Sequence, residues 1–136
     1  MIVSDDAGIR RILETTKTIA IVGLSPKEDR PSNGVARFLM ARGYTVIPVN
    51  PGQSEILGQP CYASLKDIPV KVDMVDVFRN ADDVPPIAAD AIAIGAKTLW
   101  LQLDIVHEGA AQITAAAGLD VVMDRCPKIE YPRVMG

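Results

Sequence analysis

The chain has 136 residues, of which 49% are hydrophobic, 23% charged and 4% aromatic, with a formal net charge of −3. This length suits one domain, read as 1–136, and buries enough surface for a core without disulfide or metal staples. The apolar fraction excludes a disordered chain, and the slight acidity supplies no global field for nucleic acid.

No run approaches the roughly 18 apolar residues of a membrane span, and the start, Met1–Asp6, lacks the positive and apolar regions of a signal peptide. Cys61 and Cys126 stand far apart and in no CxxC pattern. They make neither a disulfide framework nor a zinc site. A reducing cytoplasmic setting is expected, with no nucleic-acid and no membrane partner.

In chain order, a first helix spans about Asp5–Thr16, with Ile9, Ile12 and Leu13 on one side and two acids at its start. Five β-rich runs follow: Thr18–Val22, Thr45–Val49, Val72–Phe78, Thr98–Gln102 and Val121–Met123, starting every 23 to 27 residues. That spacing fits one strand and one helix per unit. Val35, Phe38 and Leu39 mark a helix stopped by Gly43. Pro85-Pro86 opens another, with Ile87, Ala91 and Ile94 apolar and Gly95 as its stop. Ala110, Ile113 and Ala117 form a third stripe, ended by Gly118. Between the second and third strands, Gly52, Gly58, Pro60 and Pro69 leave room for only one helical turn, near Ser64–Ile68.

Strands alternating with helices, and apolar throughout, predict an α/β fold: a Rossmann-like, doubly wound parallel sheet covered on both faces, in the order 3-2-1-4-5. Two features strain this picture. Pro48 falls inside a strand that would be internal, and Asp73 and Asp76 fall in the third strand, where each needs a buried partner or a place at the sheet end.

In such a sheet a ligand binds beyond the carboxyl ends of the strands, near the switch in strand order. Gly23-Leu24-Ser25-Pro26 leaves the first strand, and Pro31-Ser32-Asn33-Gly34 opens the next helix. Gly23 permits close backbone approach, Ser25 offers a hydroxyl, and Lys27 and Arg30 can neutralise an anion at the helix start. The next glycine after Gly23 is Gly34, so there is no GxGxxG, and no GK[ST] occurs. Asn50-Pro51 ends the second strand where a nicotinamide dinucleotide needs an acid. The residues point to a phosphorylated, nucleotide-like ligand and disfavour NAD.

The segments Ile19–Gly23, Arg30–Val35, Asn50-Pro51, Val75–Arg79 and Val122–Cys126, in that order, resemble the small stand-alone bacterial CoA-binding proteins. These are similar to the CoA-binding domain of the succinyl-CoA synthetase alpha subunit. The resemblance runs from about Thr16 to Val134. It implies a Rossmann-like fold and CoA or acyl-CoA as ligand, without an established reaction. It places Gly23, Leu24, Ser25 and Pro26 against the pyrophosphate, with Arg30, Ser32, Asn33 and Gly34 beside it. Asn50 and Pro51 would border the ribose and its 3′-phosphate. Val77, Phe78 and Arg79 would line the adenine side or the pantetheine path, and Gln102 would face the same cleft. An Asn rather than an acid beside a 3′-phosphate is electrostatically sensible.

The expectation is a nucleotide-binding module without a complete catalytic apparatus. The alternative is an acyl- or thiol-transfer enzyme, or a subunit of one, using Cys126 or His107. An NAD(P)-binding oxidoreductase subunit ranks below both. His107 is read first as a cap or a surface residue, Cys126 as a small buried residue, Trp100 as sheet core, and Arg79 as a partner either of phosphate or of Asp73 or Asp76.

Overall fold

The computed structural model describes all residues, 1–136. In chain order the elements are α1 (Asp6–Thr15), β1 (Thr18–Val22), α2 (Pro31–Ala41), β2 (Thr45–Val49), β3 (Glu55–Ile56), β4 (Gln59–Pro60), β5 (Met74–Val77), α3 (Val84–Ala93), β6 (Thr98–Leu101), α4 (Glu108–Ala116), β7 (Asp120–Val122) and α5 (Pro127–Met135). A 3₁₀ turn at Leu65–Asp67 is the single turn expected there.

Five strands form one parallel sheet in the order β2-β1-β5-β6-β7. Helices α1, α2 and α5 cover one face through Ile9, Ile12, Leu13, Val35 and Leu39. Helices α3 and α4 cover the other through Val84, Ala88, Ala91 and Ala110. The Rossmann-like class therefore stands.

The expected order does not. Counting only the five predicted strands, it is 2-1-3-4-5, not 3-2-1-4-5. The cause lies in the segment after β2. It forms the β3–β4 hairpin and then bridges back to the outer edge of β2, where Tyr62 N–H donates to Pro48 O at 3.1 Å and Asn50 N–H to Tyr62 O at 2.9 Å. That edge is occupied, so the next strand pairs on the far side of β1. The new order also accounts for Pro48. Val49 faces β1, accepting from Gly23 N–H, so Pro48 faces outward, where its missing N–H costs the β1 ladder nothing. The opposite edge is closed by the N-terminus: Val3 N–H donates to Val121 O, and Val121 N–H to Met1 O. Neither edge is left bare for pairing with another chain.

Two further expectations change. Ile113 is 68% exposed, and the buried stripe of α4 is Ala110, Ala111 and Thr114. Helix α5 was not anticipated, and two prolines, Pro127 and Pro132, stand within its nine residues. Pro127 occupies the first helical position, where proline costs no hydrogen bond. Tyr131 packs edge-on against Phe38 and Tyr44, tying α5 to α2.

Trp100, fully buried on β6, donates its indole N–H to Arg125 O at 2.8 Å. Trp100→Leu removes both packing and the donor that the half-buried Arg125 carbonyl accepts from. Chemical denaturation should show a loss of about 3–5 kcal/mol.

Candidate functional site

The switch in strand order lies between β1 and β5, because the chain runs from β1 to β2 on one side and places β5 on the other. Gly23 turns the chain there with φ +86. A Cβ on Gly23 would stand 2.5 Å from Phe78 O and 3.0 Å from Arg79 Cδ. No side chain fits that approach, and few residues tolerate that φ.

The loop that follows is held by side chains from three places. Ser32 Oγ, on α2, accepts Ser25 N–H at 3.0 Å. Asn33 Nδ2 donates to Ser25 O at 2.9 Å, and Arg37 Nε donates to Asn33 Oδ1 at 2.9 Å. Asn50 Nδ2, from the end of β2, donates to Leu24 O at 3.0 Å, while its Oδ1 accepts Gly52 N–H. Ser25 Oγ accepts Lys27 N–H at 3.1 Å. Ser32 and Asn33 are buried, and Leu24 is fully buried with its side chain in the core. The predicted residues Leu24, Ser32, Asn33 and Asn50 thus shape the backbone of the loop.

Three adjoining cavities surround this point. One, of about 300 Å³, lies among Gly23, Ser25, Lys27, Arg30, Ser32 and Phe78. A second, of about 240 Å³, lies between Asn50 and Pro51 at the end of β2 and Arg79 and Asp83 beyond β5. The third, of about 560 Å³, runs from Pro31 and Val35 past Phe78 and Gln102 to Leu103, Ile105 and Cys126. Gly23 belongs to the first two, Phe78 and Pro31 to the first and third, and Arg79 to the second and third.

Most of the predicted residues therefore gather at one sheet edge. Pro26 is exposed on the loop. Gly34 sits one turn into α2; a Cβ there would meet Arg37 Nη2 and Lys128 Nζ at 3.8 and 3.9 Å. Val77 is not brought in: its side chain is fully buried in the core on the α3–α4 face. Sequence reasoning missed Ala81, Leu103, Asp104 and Ile105 in the wall of the largest cavity. The signal available was position, since all follow the carboxyl ends of β5 and β6.

Lys27 and Arg30 form no ion pair within the chain, whereas Arg79 pairs with Asp83 at 3.5 Å and with neither Asp73 nor Asp76. Asp104 and Asp124 both adopt positive φ, 67 and 56, and Asp104 N–H donates to Asp124 Oδ1 at 2.7 Å. That is stored backbone strain at the rim of the large cavity. His107 caps α4, its Nδ1 accepting Ala110 N–H at 3.0 Å. Cys126 is 8% exposed, and burial pushes its thiol up despite the N–H groups of Lys128 and Ile129. A thiol so placed is a weak nucleophile.

Beneath the cavity floor lies Asp76, fully buried. Gln102 Nε2 donates to its Oδ1 at 2.7 Å; its Oδ2 has no partner. Burial pushes this carboxyl up to about 7, and the Gln102 bond opposes that only in part. Asp73 behaves oppositely. Burial raises it, but the N–H groups of Lys17 and Thr18 and the Lys97 ammonium outweigh this and hold it low.

Two predictions follow from this geometry. Gly23→Ala should cost at least about 1–3 kcal/mol from φ strain alone, read from denaturant midpoints, with the Phe78 contact adding to it. For Asp76, the folded pKa lies above the unfolded one. The group therefore favours the folded state at low pH, and that stability is lost as pH rises from about 4 through 7. The limiting loss is roughly 4 kcal/mol. Denaturation of the protein and of Asp76→Asn across this range should diverge with that sign; parallel curves would refute it.

The chain is similar to several known proteins. A family described as a CoA binding domain matches residues 17–132. An uncharacterized protein of Bacillus subtilis, YneT, is 39% identical over 125 residues, covering 92% of this chain and 93% of that one. An ADP-forming acetate–CoA ligase of Archaeoglobus fulgidus is 41% identical over 69 residues, covering 51% of this chain but 10% of the ligase. This chain thus corresponds to a small part of that enzyme. A solved hypothetical protein from Pyrococcus horikoshii has a TM-score of 0.94 at 41% identity, covering 98% of this chain and 94% of that one. With a family match over nearly its whole length, on a sheet whose switch point carries the residues described, the chain belongs to the CoA-binding domain family.

Proposed function

We propose that this protein binds coenzyme A or an acyl-CoA at the β1–β5 switch point, as a nucleotide-binding module. The observation that carries the reading is the group of three mutually adjoining cavities, with Lys27 and Arg30, free of ion pairs, lining the one at the start of α2. A CoA molecule has three parts to match: an adenosine with a 3′-phosphate, a pyrophosphate, and a long pantetheine arm. The pyrophosphate fits the cavity of Gly23, Ser25, Lys27 and Arg30, where the start of α2 adds its partial positive charge. The nucleoside fits the cavity at Asn50, Pro51 and Arg79. The pantetheine arm fits the larger, mostly apolar cavity that ends at Gln102 and Cys126. The Archaeoglobus acetate–CoA ligase, similar over half of this chain, supports the same ligand class.

The end of β2 supports CoA over NAD. Asn50 spends its amide on Leu24 O and its oxygen on Gly52 N–H, leaving no carboxylate to hold two ribose hydroxyls or to repel a 3′-phosphate.

Calorimetric titration tests the reading. CoA should release heat and raise the melting temperature, with NAD and ATP weaker. Arg30→Ala should weaken CoA by roughly five-fold without altering the fold, the worth of one exposed charge-assisted contact. No heat and no thermal shift at millimolar CoA would overturn it.

A further inference from the structure

The buried Asp76 has no place in the binding scheme above, yet it is the one fully buried side-chain oxygen donor-acceptor site left incomplete. Its Oδ2 is the sole buried side-chain N or O atom in the chain without a partner. Its Oδ1 is bound by Gln102 Nε2 at 2.7 Å. Gln102 in turn lines the largest cavity. With Nε2 committed to Asp76, the amide oxygen Oε1 is left without a protein partner, and it is not among the sealed-off atoms. Gln102 therefore offers the cavity an acceptor.

The orientation of that amide depends on the proton of Asp76. An ionised Asp76 only accepts, and it takes the Gln102 N–H. A protonated Asp76 carries an O–H that needs an acceptor. Turning the Gln102 amide over supplies Oε1 to it and swings the NH₂ toward the cavity. One protonation thus exchanges an acceptor for a donor at the cavity floor.

We propose that the Asp76–Gln102 pair distinguishes the two chemical states of the sulfur end of a CoA ligand. With Gln102 presenting oxygen, the free thiol, a donor, is favoured. With Gln102 presenting nitrogen, the carbonyl of an acyl thioester, an acceptor, is favoured. Asp76 is a positioning residue acting through Gln102. The proposal rests on the CoA reading, because it needs the pantetheine arm in this cavity. The near-neutral titration of Asp76 supports it, since both states are then populated in ordinary conditions.

The other ionisable groups around the pair do not reproduce this behaviour. Cys126, on the α5 side, is kept protonated by burial. Glu130, also on α5, is held ionised by Arg125 and Arg133. Arg79, beyond β5, is paired with Asp83. Asp104 stands at the rim, beyond β6, with Asp124 behind its N–H. From α2 the wall is Pro31 and Val35, which do not titrate.

The test is the ratio of dissociation constants for acetyl-CoA and CoA, measured by calorimetry with a reductant from about pH 5.5 to about pH 8.5. The phosphates titrate in both ligands and cancel in the ratio. In the native protein acetyl-CoA should lose ground to CoA by about five-fold or more as pH rises, the worth of one hydrogen bond exchanged. Asp76→Asn and Gln102→Leu should each make the ratio independent of pH while circular dichroism stays native. A flat ratio in the native protein overturns the proposal, as does a slope that survives in either variant. If Asp76→Asn does not fold, Gln102→Leu decides alone. Binding of neither ligand overturns the CoA reading itself, a result distinct from binding with a flat ratio.

Discussion

The carboxyl edge of the sheet depends on one close approach. At the exit of β1, Gly23 passes the Phe78 carbonyl so tightly that a Cβ would sit 2.5 Å from it. Two adjacent parallel strands diverge at a switch point, and the chain on one side must turn away at once. Gly23 does so with a positive φ, and the loop that follows is bound to the start of α2 and to Asn50 at the end of β2. A bulkier residue would push β1 and β5 apart between the cavity at the start of α2 and the one at the end of β2. The site is thus a consequence of backbone proximity before it is a set of side chains.

Around that approach the polar residues divide into two groups. Ser32, Asn33 and Asn50 are spent on the loop itself, the first two holding Ser25 from the start of α2 and the third holding Leu24 from the end of β2. Lys27 and Arg30 are exposed and unpaired. A rigid backbone with movable cations is an economical way to bind a pyrophosphate: the N–H groups and the helix start are fixed in advance, while long side chains lose entropy only when the anion arrives. The same division explains why Leu24 is fully buried. It anchors the loop into the α2–α5 side of the core, so the loop follows the core rather than the solvent.

Much of this was legible in the sequence. The first two strands lie where the apolar runs put them, residue for residue. The switch-point loop was marked by Gly23 and by the helix opening at Pro31. The strand order was not legible, because it turns on residues 50–71, which have no periodic pattern. Only the observed Tyr62 bridge shows that the outer edge of β2 is taken. Pro48 was the clue, since a proline tolerates an edge and not an interior strand. Helix α5 was hidden by its two prolines, and Ile113 was placed inward because an alanine-rich helix offers little contrast between its faces. Within the site, residue types were easier to read than roles. Asparagine and serine beside a glycine turn suggest ligand contacts, yet here they satisfy backbone groups. The wall at Leu103–Ile105 looked like ordinary loop, because apolar residues carry no chemical signature until the fold sets them around a cavity.

The third strand shows how position decides the chemistry of one residue type. Asp73 and Asp76 lie three residues apart, so they point to opposite faces of the sheet. Asp73 stands at the entry of β5, with two backbone N–H groups and a lysine nearby, and stays readily ionised. Asp76 lies inside, with one amide and no cation, and its charge is costly. A valine, the apolar side chain nearest in size, would remove that cost beside Met74 and Trp100 on the same face. Stability therefore does not account for a carboxyl at this position. The feature that sets it apart from its surroundings is its bond to Gln102, the side chain through which this part of the core reaches the largest cavity.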